Sequence, residues 1–206
     1  MPAFSPSSLT PPLPSIGIGR LRRMWIWMRR ISCCRGFGVQ SPSAYRFIRY
    51  VVNEHYPYYA YGDLQKIHPH LRGADLKLLR LYFRLANHCQ ADTFVDAGGV
   101  APRALPDFVA CGCRKTRVTG EPGSATAIGL LRIGIARDND WIDRMLDRTD
   151  QNTVVIVEQI GLRRDLQSVW THLLADSRVS VLFDLYYCGI AFFDTVRHKC
   201  NYIVNF

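Results

Sequence analysis

The first fifty residues of this 206-residue chain contain no Asp and no Glu, yet they hold eight arginines. The other 156 residues carry 18 basic and 17 acidic side chains, so the net charge of +9 belongs almost wholly to the N-terminal segment. A near-neutral body argues against a broad nucleic-acid-binding face, and no nucleic-acid partner is expected for it. Long apolar runs are missing too. The group Met24-Trp25-Ile26-Trp27-Met28 is far too short to span a bilayer and is bracketed by arginines. It also lacks the apolar core and small-residue cleavage site of a secretory signal. No membrane span is expected. The seven cysteines and six histidines lack metal-site spacing: Cys33 and Cys34 are adjacent, Cys111-Gly112-Cys113 has one spacer residue, and no H-E-x-x-H occurs. The sequence therefore predicts no metal and no disulfide framework, and unpaired thiols fit a reducing cytoplasm.

What is present is ordinary for a globular protein: 48% hydrophobic and 21% charged residues, in a chain long enough to bury its own core. Residues 1–19 are rich in Pro and Ser without periodicity, which predicts disorder. Residues 1–35 read as a disordered basic tail, with Met24 and Met28 as alternative starts beside Met1. Ordered chain is expected from Gly36. Ser41 can cap a helix whose first turn takes Pro42, with Tyr45, Ile48, Val51 and Val52 on one face. The aromatic run Tyr56–Tyr61 reads as packing onto the domain. A strong helix from Asp75 to about Cys89 places Leu78, Leu79, Tyr82, Leu85 and Ala86 inward and Lys77, Arg80 and Arg84 outward. Residues 36–90 thus form an N-terminal helical extension, and residues 91–206 the main domain.

From residue 91 strand and helix signals alternate, which predicts an α/β fold with a mostly parallel sheet and crossover helices. Strands are expected at 93–96, 115–119 and 153–157. Helices are expected at 105–111, 126–135, 141–148 and 165–175, before a β-rich end. A strand ending in Asp96, followed by Gly98 and Gly99, suits a tight turn beside a ligand, because glycine accepts positive φ and adds no side chain. Glu121 closes the next strand, where a carboxylate can accept ribose hydroxyl hydrogen bonds. Glu158 reads as the cap of a strand end facing solvent, and Trp170 as a core or groove residue. Asp184, inside an apolar strand, needs a partner or the solvent face.

Several segments together resemble a bacterial group of class I S-adenosylmethionine-dependent methyltransferases. They are Phe37-Gly38-Val39-Gln40-Ser41-Pro42, Tyr58-Tyr59-Ala60-Tyr61, the helix Leu79–Asn87, Asp96-Ala97-Gly98 at motif I, Glu121, Val157-Glu158-Gln159-Ile160, Val169-Trp170, and a closing hairpin built from Phe183–Tyr186 and Gly189–Phe193. The resemblance covers about residues 36–206. It implies a Rossmann-like fold with a C-terminal antiparallel β-hairpin, S-adenosylmethionine as cofactor held by Asp96, Gly98, Gly99 and Glu121, and an acceptor substrate that the sequence does not name. The chain departs from the group in two places. The last glycine of motif I is absent, and Pro102 and Pro106 push the following helix to start near Pro106. Only about 30 residues separate Glu121 from the strand at 153–157, so one or two strands are expected to be missing and no catalytic base stands out. Three readings stay open: a methyltransferase, a non-catalytic binding or scaffolding relative, and RNA or phosphate binding through the Arg-rich N-terminus.

Overall fold

The computed structural model describes residues 19–33, 36–120, 127–135, 138–194 and 198–206. Residues 1–18, for which disorder is expected, and Glu121 lie outside them. The described residues form an α/β protein around one mixed seven-stranded sheet, in the order β2-β1-β3-β4-β6-β5-β7. The strands are β1 (Thr93–Asp96), β2 (Arg117–Thr119), β3 (Leu130–Ile133), β4 (Val154–Glu158), β5 (Val181–Asp184), β6 (Cys188–Phe192) and β7 (Cys200–Ile203). Neighbours are parallel from β2 through β4, β6 is antiparallel to both β4 and β5, and β7 is parallel to β5. The expected closing hairpin is β5–β6.

Helices cover both faces. On one side α2 (Pro42–Phe47), α3 (Tyr59–Ile67), α4 (Gly73–Cys89) and α5 (Leu105–Gly112) share a core with Phe94, Leu130, Ile156 and Phe183. On the other, α6 (Asn139–Leu146) and α7 (Arg164–Ala175) cover Val95, Leu131, Val155 and Leu182. Successive strand residues alternate between the two cores, as the pleat requires.

Local chemistry sets several boundaries as the sequence predicts. The Ser41 side chain accepts from the Ala44 N–H at 3.4 Å, and Pro42 opens α2. Helix α5 begins at Leu105 with Pro106 in its first turn. Tyr58, Tyr61 and Phe83 meet edge-on with ring centroids 5.0–5.3 Å apart, so the aromatic run packs α3 onto α4.

Five expectations are corrected. Residues 126–135 do not form a helix; their described part contains β3, buried on both faces and therefore without the alternation that marks a half-exposed strand. One of the strands expected to be missing is thus present. Residues 20–33 are not disordered, because helix α1 (Arg20–Arg29) and a 3₁₀ turn at Ile31–Cys33 are docked on the domain. The helix begun at Pro42 turns π-helical over Ile48–Val52, and Tyr45 is exposed while Ile48, Val51 and Val52 are buried. Arg84 does not point to solvent. It is buried, its Nε donating to Val51 O at 2.5 Å and its Nη2 to Val52 O at 3.1 Å, so it satisfies carbonyls that end the π-helix. Glu158, the fifth, is fully buried rather than facing solvent.

Candidate functional site at the strand ends

From β1 the chain moves outward to β2, then returns past β1 to β3 and β4. The order therefore reverses between β1 and β3, and the crevice beyond the carboxyl ends of those strands is where open α/β sheets take ligands. Register decides what reaches it. Asp96 pairs with Arg132, and Glu158 ends β4 two residues past Ile156, which pairs with Arg132 in turn. Alternation places Asp96, Arg132 and Glu158 on one face, under α4.

There they make a buried polar cluster. Arg132 and Glu158 have no solvent exposure, and Asp96 has little. Arg132 Nε donates to Glu158 Oε1 at 2.9 Å, and its Nη2 donates to the Val100 carbonyl. The Val100 N–H returns a bond to Glu158 Oε2 at 2.8 Å. Tyr82, from α4, donates its hydroxyl to Glu158 Oε1, and its ring lies 5.2 Å from the Arg132 guanidinium. Arg132 Nη1 makes no hydrogen bond but stands 3.4 Å from Asp96 Oδ1. Burial alone would lower the Arg132 pKa, yet the Glu158 carboxylate, with Tyr82 and Asp96, raises it, so the guanidinium stays charged. Burial, then the Glu158 carboxylate, pushes the Tyr82 hydroxyl well above its ordinary value and keeps its proton in place.

The turn after β1 is closed onto this cluster. Gly98 and Gly99 have φ of +87° and +150°, and the Gly98 N–H bonds Asp96 Oδ1 at 3.0 Å. A Cβ on Gly99 would fall 2.6 Å from Arg132 Nε and from Glu158 Oε2. Gly134, just past β3, touches the same turn: its Cβ would meet Gly99 Cα and lie 2.5 Å from Gly98 O. The Ile135 side chain lies over Gly98, where a Cβ would come within 2.5 Å of its Cδ1. Asp96, Gly98 and Gly99 thus lie in one turn against this cluster, and Glu121 falls outside the described residues. Sequence reasoning missed Arg132 and Tyr82. A lone arginine within Leu130–Ile133 was the available signal for the first.

A second concave feature lies at the opposite end of the sheet. An open cavity of about 890 Å³ is bounded by the start of β4 at Val154, the end of β6 at Phe192, and by Phe47, Tyr50, His88 and Asn152. Burial lowers the His88 pKa, which favours the neutral imidazole.

Trp170 takes its core role against Gly189, and Asp184 finds its partner in Arg30 at 3.0 Å. The six described cysteines are free thiols. Among the described residues there is no group of three His, Cys, Asp or Glu side chains able to hold a metal, and no helix long and apolar enough to cross a membrane. No family model, curated protein or solved structure matches the chain.

Proposed function

We propose that this chain is a non-catalytic relative of the Rossmann-like methyltransferase fold that works as a binding or scaffolding module. Support for the Rossmann-like reading comes from the parallel β2-β1-β3-β4 block, the order reversal at β1, and the antiparallel hairpin that follows. Support for the non-catalytic reading rests on one observation. The Arg132 guanidinium is buried beneath the turn that follows β1 and tied to Glu158 and Val100, so the polar groups at the ends of β1, β3 and β4 are spent on one another. Asp96, the residue expected to meet the cofactor, already spends its carboxylate on its own turn and on Arg132. A cofactor seeking those groups would have to pull them from an arginine held by charge and hydrogen bonds in a dry setting, which is strongly unfavourable.

Calorimetry with S-adenosylmethionine tests this reading. The expected result is no heat of binding at about millimolar cofactor, the range where dissociation corresponds to roughly 4 kcal/mol. Binding at micromolar cofactor that disappears in Asp96→Ala would overturn it and restore the transferase, with Glu121→Ala as the companion variant.

A further inference from the structure

Helix α1 has two faces. One is fixed to the domain: Ile26 is 5% exposed, Arg30 Nη2 meets Asp184 Oδ1 at 3.0 Å, and the Asn205 side chain donates to Trp27 O at 3.1 Å. At 100° per residue, Met24, Met28, Leu21 and Trp25 fall side by side on the opposite face. They are 54%, 48%, 78% and 51% exposed, an unbroken apolar strip on a helix whose other residues are Ile26, Trp27 and four arginines. Arg22 and Arg29 border the strip on one side, and Arg20 borders it on the other.

Beside Arg20 lies a recess of about 280 Å³, which Arg20, Arg23 and Lys77 line together with Met24, Trp27 and Phe206. No acidic side chain lines it. Burial first, then repulsion from the Arg23 guanidinium, holds the Lys77 pKa down to about 8. An anion in the recess would relieve that repulsion. Met24 belongs to both strip and recess, so the two are continuous.

We propose that α1 is the docking surface for an anionic lipid membrane. Leu21, Met24, Trp25 and Met28 enter the boundary between headgroups and acyl chains, while Arg20, Arg23 and Lys77 take a headgroup phosphate. Each part needs the other. Tryptophan and long apolar side chains are at home in the interfacial zone, and a single short helix gains firm hold there only with electrostatic help from anionic headgroups. An RNA strand would use the arginines but leave the aliphatic part of the strip against water. The charge matches as well, since the first fifty residues carry no acidic side chain. This inference stands apart from the reading of the β1–β3 crevice, and either can fail alone.

Sedimentation of the full chain with vesicles is the test. Phosphatidylcholine vesicles with about 30% phosphatidylglycerol should retain it at least about tenfold better than pure phosphatidylcholine, and about 1 M salt should abolish the difference. Leu21→Ser combined with Trp25→Ser and Met28→Ser should lose about tenfold or more, as should Arg20→Gln combined with Arg23→Gln and Lys77→Gln. Thermal melting confirms that each variant is folded. Should either triple variant unfold, Leu21→Ser with Arg22→Gln, both on exposed positions, reads the same loss in smaller measure. Four outcomes overturn the proposal: no preference for anionic vesicles, RNA binding that survives the strip variant and exceeds vesicle binding, self-association through the strip that displaces vesicles, or full release by inorganic phosphate at matched ionic strength.

Discussion

The two ends of the central strands are built on opposite terms. At the carboxyl ends, Arg132 and Glu158 are fully buried with Asp96 at their margin, and a glycine turn is pressed onto them. At the opposite end of the sheet, where β4 begins and β6 ends, Phe47, Tyr50 and His88 border open volume. A sheet of this order commonly reserves its carboxyl ends for a ligand; this chain spends that position on internal charge pairing and leaves room at the other end. The lesson is that strand order tells where a ligand could sit, whereas the side chains at the strand ends tell whether the place is free.

The comparison breaks if the charged end proves dispensable. Arg132→Met should cost about 3–5 kcal/mol in urea unfolding, because it leaves Glu158 and Asp96 buried without their counter-charge. Adding Glu158→Gln should recover part of that loss, a coupling that independent sites would not show. Gly134→Ala comes next, at about 2–3 kcal/mol, since its methyl would be driven into the backbone of Gly98 and Gly99. Tyr82→Phe should cost about 1–3 kcal/mol by removing a donor from a buried carboxylate.

The same tyrosine gives a pH signature. The folded state holds the Tyr82 proton, and the equally buried Cys188 proton, more tightly than the unfolded chain does. Burial is the leading cause for both, followed by the Glu158 carboxylate. Their contribution is therefore complete below about pH 9 and is lost as pH rises past the unfolded values of about 9 for cysteine and 10 for tyrosine. Urea midpoints measured from pH 8 to 11 should fall, and Tyr82→Phe should flatten the upper part of that fall. The smallest effect belongs to the open end: Tyr50→Ala, on an exposed cavity wall, should stay within about 0.5 kcal/mol of the parent.

Much of this architecture was readable from residues alone, wherever the signal was local. The Ser41–Pro42 start, the apolar stripe of α4 and the run that became β4 each carry their own instruction in cap chemistry or periodicity. Strand β3 was misread because burial on both faces erases alternation, and Arg132 inside it imitates the polar side of a helix. The glycines that bracket it, Gly129 and Gly134, were the better guide. At the site, Asp96 and the two glycines could be found because they are consecutive. Their partners could not. Arg132 and Glu158 are 26 residues apart, and Tyr82 reaches Glu158 from 76 residues away, so only the register of three strands beneath α4 brings them together. The docking of helix α1 is hidden for the same reason: Arg30, which caps its end, looks solvated until Asp184, 154 residues on, supplies an anchor.

That anchor has a bearing on how the molecule behaves among its own kind. Among the described residues strand β7 pairs with β5 alone, so its outer side is a sheet border of the sort that recruits foreign strands. Arg30 reaches the carbonyls of Asp184 and Val204, and the Cys33 carbonyl takes the Asn205 N–H, so the helical N-terminal segment blankets the tail of that border. Loosening Arg30 would bare the Asp184 and Val204 carbonyls and thin the cover over that tail, leaving more unpaired backbone at the edge for a neighbouring molecule to meet.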